Sequence, residues 1–163
     1  MTFETNFKPS RTARKKAEKK KKTERKTTER KHMDAARMAD KGCRFPLCGC
    51  RKLGLRTEVA HLTHRGMGGN PKGDRTQPDN VISLCSHRHQ HGEVSLHKGT
   101  LKVVPLTDKG TRGAVRFMVD AETLGLAPTE DGWFCVATEE APGHVKADWA
   151  QDRALRILAE MDL

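Results

Sequence analysis

Apolar positions are spread unevenly along the chain, and their spacing divides it into three parts. Residues 8–31, KPSRTARKKAEKKKKTERKTTERK, contain almost no apolar side chain, so they cannot bury enough surface to offset the entropy of ordering them. Residues 1–41 therefore read as a basic arm, disordered or helical. It is mobile when free, with helix open to it because Lys, Arg, Glu and Ala favour helix and TERKTTERKHMDAARMADKG runs into a Gly42 stop. Between residues 42 and 99 the apolar runs are short, EVAHL from Glu58 and VISLC from Val81, and suit strands or the first turn of a helix. In residues 100–163, LKVVPL, AVRFMVD and WFCVAT read as strands, the first two joined by the turn-rich TDKGTRG. They predict a small antiparallel sheet. The tail from His144 to Leu163 places Val145, Trp149, Ala150, Ala154, Ile157, Leu158 and Met161 at steps of three and four, the pattern of an amphipathic helix. The expectation is an α+β protein whose C-terminal strands and helix pack on the middle segment, in a chain of 163 residues, about one domain's worth.

Charge adds a direction to this picture. Residues 1–42 carry 15 Lys/Arg against 6 Asp/Glu, residues 43–110 carry 11 against 5, and residues 111–163 carry 5 against 10. A basic front and an acidic back point to a polyanion held by the front half, because each cation that neutralises a phosphate releases condensed counterions. Nucleic acid is the expected partner, with Lys19, Lys20, Lys21 and Lys22 in the arm among its contacts. A tail that only solubilises is the plain alternative. The chain has no run of 18 apolar residues and its start lacks a secretory core, so the expectation is a cytoplasmic, DNA-associated protein without a membrane segment. Four of five cysteines crowd near the histidines, which fits metal-binding or packed thiols better than a secreted disulfide framework.

Six of the eight histidines fall between Glu58 and His97. Imidazole both binds divalent transition metals and titrates near neutral pH, a pairing suited to phosphodiester hydrolysis, where a metal neutralises charge and a base activates water. Here Gly68-Gly69 follow His61 by seven residues, Asn80 opens NVISLC, and His89 lies four residues after Cys85. Over about a third of the chain, Cys43 to His97, this segment resembles the HNH endonuclease family, whose motif is a ββα-metal finger.

The resemblance implies a metal-dependent DNA endonuclease or nickase, of the kind found in phage or mobile elements, using magnesium, manganese, nickel or zinc. It makes His61 the general base, Asn80 the residue that fixes the loop holding that base, and His89 a metal ligand at the start of the helix. His97 is the second helix-side ligand, ahead of His91; a longer or broken helix is needed for it to reach. Alanine stands at position 60, where the family carries a metal-binding Asp or His. The metal is then held by His89, His97, substrate oxygens and water, or Glu58 or His64 moves in, or catalysis is impaired. Glu58 has the strand parity to share a face with position 60.

Family members often frame the finger with a structural zinc held by two Cys pairs. Here CRFPLCGC offers Cys43, Cys48 and Cys50, the later pair is reduced to Cys85, and Arg88 stands where its partner belongs. A tetrahedral site closes as Cys43, Cys48 or Cys50, Cys85 and His87, or with all four thiolates; buried thiols that merely pack are the alternative. Cys135 reads as a core residue. Arg65, Lys72 and Arg75 lie in the long loop between the finger strands, where phosphates can be met. Few aromatics and no Tyr argue against base stacking and for backbone-driven contact with duplex DNA. A nucleic-acid-binding zinc module without chemistry is the second reading. A homodimer or a targeting partner is compatible with both.

Overall fold

A computed structural model describes residues 10–46, 48–51, 55–62, 77–127, 130–141, 144–146 and 149–161. A long helix α1 (Arg11–Asp40) leads into a hairpin of β1 (Thr57–His61) and β2 (Val81–Cys85). Four further strands follow, β3 (Leu101–Pro105), β4 (Val115–Asp120), β5 (Trp133–Ala141) and β6 (His144–Lys146), and helix α2 (Trp149–Met161) ends the chain. β1 and β2 form a two-stranded antiparallel sheet, and β3-β4-β5-β6 a second, four-stranded antiparallel meander. Among the described residues no helix is long and apolar enough to cross a membrane.

The arm is helical from residue 11. Ser10 caps it by accepting from the Ala13 N–H, and Lys20–Glu24, Arg25–Glu29 and Arg30–Asp34 form pairs four residues apart that support it. Such pairs are individually weak in water, so packing at the far end decides. Ala36 is buried with Val59 and Val81, and Met33 rests on the same cluster. The last turns of α1 thus belong to the body. Lys41 takes the left-handed conformation, Gly42 follows at φ 131°, and the helix stops where the glycine predicts.

The strands expected at LKVVPL, AVRFMVD and WFCVAT are present as β3, β4 and β5. Leu101, Val103, Val115, Phe117 and Val119 bury one face of the sheet against Ala154, Leu155 and Leu158 of α2 and against Ile82 and Leu84 of the hairpin. The C-terminal helix is shorter than its apolar pattern suggests. Residues 144–146 instead pair with β5, and the register slips between Glu139 and Ala141; a strand edge with open backbone groups claims the first residues of the tail.

A buried charge network ties these parts together. Arg44, just past α1, donates to Glu139 Oε2 on β5 at 2.6 and 2.9 Å and also to the Thr111 carbonyl. Arg112 Nη1 donates to Asp40 Oδ1 at 2.8 Å, and the Ser83 N–H donates to Asp40 Oδ2 at 2.8 Å. The side chains of Asp40, Arg44 and Glu139 are at most 2% exposed, so each charge depends on its partners for the solvation that water no longer supplies. Asp40→Ala, which strips Arg112 and Ser83 of their acceptor, is expected to lower the unfolding free energy by about 3–5 kcal/mol in urea titration. Asp34→Ala, on the exposed side of the same helix, should change it by less than about 0.5 kcal/mol.

Candidate metal centre and histidine site

The turn after α1 brings Cys43 to the hairpin, a short 3-10 turn (Gly49–Arg51) follows Cys48 and carries Cys50, and Cys85 ends β2. Their four sulfurs lie within 4.8 Å of one another, with Cys48 and Cys85 Sγ 3.7 Å apart. A tetrahedron with Zn–S bonds of about 2.3 Å sets its sulfurs about 3.8 Å apart, so the four thiols stand where a metal ion would gather them. Among the described residues this is the one group of three or more metal-binding side chains drawn that close. Cys50 supplies the fourth sulfur that position 88 lacks. The Arg88 backbone N–H donates to Cys85 Sγ at 3.4 Å, while its guanidinium lies 4.5 Å over the Phe45 ring and bonds the Val94 carbonyl. His87 is outside the set: its ring lies over Gly92, where any Cβ would come within 2.5 Å of it.

The sulfurs do not ionise alike. Hydrogen bonds from Cys43 and then Cys85 pull Cys48 down to about 2. The same contacts, with Cys48 first, hold the Cys43 thiol far above its usual range, and burial followed by Cys48 pushes Cys50 up to about 12. Cys43 pulls Cys85 down, but Cys48 and burial outweigh it and leave Cys85 raised. Burial and the neighbouring sulfurs thus set the four thiols against one another, because a second thiolate beside the first is disfavoured in low dielectric. A divalent ion removes the conflict by stabilising all four thiolates, and an all-sulfur donor set suits zinc.

The histidines lie on the next turn. The resemblance implies an α-helix after β2. The chain instead makes a single π-helical turn (His87–His91) that ends at Gly92, whose N–H donates to the His87 carbonyl at 2.8 Å. Past this break the chain folds back, and the His97 N–H donates to the His89 carbonyl at 3.0 Å. The His89 and His97 rings meet edge to face with centroids 5.2 Å apart. On β1, Glu58 and Ala60 pair with Leu84 and Ile82, and Val59 and His61 pair with Ser83 and Val81, so alternation sets Glu58 and His61 on opposite faces of the hairpin. Glu58 Oε2 lies 2.7 Å from His89 Nδ1 and accepts from Gln90 Nε2 at 2.9 Å. A carboxylate acceptor favours the proton on Nδ1, which leaves the lone pair on Nε2.

His61 closes β1, and beside it the Leu62 N–H donates to the Asn80 carbonyl at 3.0 Å. Asn80 thus touches the loop after His61 through its backbone. Ala60 is fully buried with Ile82 and Leu84, so its face of the hairpin is core at that point. His91 is exposed. His64, Arg65, Lys72 and Arg75, with Gly68-Gly69, lie outside the described residues. Sequence reasoning missed Gln90, a neutral donor whose one signal is its place beside His89, and Arg88, visible only as a residue where a cysteine was expected. Comparison with protein families, curated proteins and solved structures finds no match for the chain.

Protons compete with a metal for all four sulfurs. Chelator-driven release of bound zinc, followed with a metallochromic dye, is therefore expected to quicken as pH falls from about 8 to about 6. A release rate independent of pH over that range would contradict thiolate coordination.

Proposed function

We propose that the chain is a metal-dependent endonuclease of the HNH type that hydrolyses phosphodiester bonds in DNA, built around a structural zinc held by Cys43, Cys48, Cys50 and Cys85. The observation that carries this reading is the Glu58–His89 contact of 2.7 Å; Glu58 lies on the strand that His61 ends but on the opposite face, so the scissile phosphate in this reading lies across the end of β1. The contact supplies an imidazole with its outer nitrogen open to a ligand, as a phosphate-neutralising metal site requires.

In this reading His61 takes a proton from the attacking water, a role imidazole fills as a general base. Asn80 holds, through its carbonyl, the start of the loop that follows His61. His89 and His97 are the residues that would hold the divalent metal, magnesium, manganese, nickel or zinc, with water and substrate oxygens completing its shell. That ion supplies charge neutralisation at the scissile phosphate and leaving oxygen. Glu58 orients His89 through Oε2 and is the remaining candidate for the ligand that Ala60 cannot supply. Lys19 and Lys22 in the arm, with Arg65, Lys72 and Arg75, are the proposed phosphate contacts. An intracellular, DNA-associated setting follows from this substrate, and a second copy or a targeting protein would help it cut both strands.

The burial of Ala60 in the core favours a second reading, a zinc-stabilised nucleic-acid-binding protein without chemistry. Supercoiled plasmid incubated with each of the four metals separates the two. The nuclease reading expects nicked or linear product with at least one metal and a fall of about 100-fold or more for His61→Ala, the scale of a lost general base. No cleavage with any metal, or equal cleavage by the variant, rules it out.

A further inference from the structure

The basic arm is one continuous helix with two dissimilar sides. Every residue from 11 to 28 is exposed, and the first half-buried positions are Glu29, His32 and Met33. Asp40 bonds Ser83 in the middle of β2, whereas Met33 packs against a cluster holding Val81, the partner of His61 across the hairpin. Followed backwards, α1 therefore runs past the His61 end of the hairpin and projects beyond it. Arg11 to Lys26 cover about 22 Å at a rise of about 1.5 Å per residue.

Steps of three and four residues return to one side of a helix. Arg11, Lys15, Lys19, Lys22 and Lys26 follow such steps, and the series continues through Met33, Ala36 and Asp40, the residues that face the body. Lys20 and Lys21 point elsewhere, and Lys20 reaches Glu24 at 4.0 Å. The cationic stripe is thus the outward extension of the packing face, on the side from which the hairpin's His61 end rises.

This helix is electrostatically uncomfortable alone. Its first turn has no acidic residue, and Arg11 and Arg14 sit at the positive end of the helix dipole. Lys15 and Lys19, and Lys22 and Lys26, repel as like charges four residues apart. Packing of its last turns supplies the nucleus from which the rest propagates. A linear array of negative charge along the stripe would relieve every one of these repulsions, and duplex DNA carries about one phosphate charge per 1.7 Å of axis.

We propose that the stripe Arg11, Lys15, Lys19, Lys22 and Lys26 is the docking face for a DNA duplex, which lies in the corner between α1 and the hairpin end bearing His61. This deepens the nuclease reading and rests on it for the identity of the duplex as substrate. The helix acts as a rigid guide in place of a flexible tether, and it engages the duplex on one side only.

The test compares two charge-matched variants of the full chain, K19Q/K22Q and K20Q/K21Q, in binding of a 30-base-pair duplex by fluorescence anisotropy across a sodium chloride series without added divalent metal. Glutamine keeps helix propensity close to that of lysine, and circular dichroism checks that helix content is unchanged. Each phosphate contact contributes about 0.9 to the slope of log affinity against log salt. K19Q/K22Q is expected to reduce that slope by about 2 and K20Q/K21Q to leave it unchanged. Equal reductions would show a flexible arm that wraps DNA with all its cations, and no reduction in either would show that the arm does not touch DNA; both overturn the proposal. Equal affinity for single strands of the same length overturns the duplex assignment. Because no cleavage is measured, a protein that cuts nothing but shows the difference retains the docking face and loses the nuclease reading alone.

Discussion

Asp40, Arg44, Glu139 and Arg112 meet in the interior, and the arrangement of every other part follows from that meeting. Charges at most 2% exposed cannot borrow solvation from water, as the side chains of Asp40, Arg44 and Glu139 are, so their mutual geometry is fixed to within hydrogen-bond tolerance. Asp40 is the last residue of α1, Arg44 lies in the turn after it, Arg112 precedes β4 and Glu139 is on β5. Three segments distant in sequence are thereby held at one point. The six residues from Asp40 to Phe45 end a helix, supply Cys43 of the four-cysteine cluster, bury an arginine, and place Phe45 edge-on to Phe117 at 5.6 Å.

The cysteine cluster and the histidine site share this foundation. Cys85 ends β2 and contributes a sulfur, and the turn that follows immediately carries Arg88, His89 and Gln90. The Arg88 guanidinium stacked on Phe45 and bonded to Val94 pins the inner side of that turn. His89 is then presented outward to Glu58. Cys85 of the four-cysteine cluster thus lies directly at the base of the π-helical turn that carries His89.

Much of the fold was legible in the sequence because it rests on local pattern. Alternation marked β3, β4 and β5, and Gly42 marked the end of α1. The four cysteines were visible as a metal set, but whether His87 or Cys50 filled the last place depended on a backbone course that spacing does not encode. The π-helical turn was hidden in the same way: Gly92 is required there because the His87 ring occupies the space of any side chain, a contact made only once the turn exists. β6 escaped because His144, Val145 and Lys146 match a helical pattern as well as an alternating one, and the open edge of β5 decided between them. The Arg44–Glu139 pair joins residues 95 apart, and no single sequence displays that. Of the histidine site, the facing of Glu58 was legible from strand parity, whereas its contact with His89 depended on where the broken turn put the ring.

The central structural claim is that Cys43, Cys48, Cys50 and Cys85 form one metal centre that completes the junction between α1 and the hairpin. X-ray absorption at the zinc edge of the purified full-length chain tests it most directly. One zinc per chain with four sulfur neighbours at about 2.3 Å is expected. A shell in which nitrogen or oxygen replaces sulfur, or a chain that retains no metal, would contradict it.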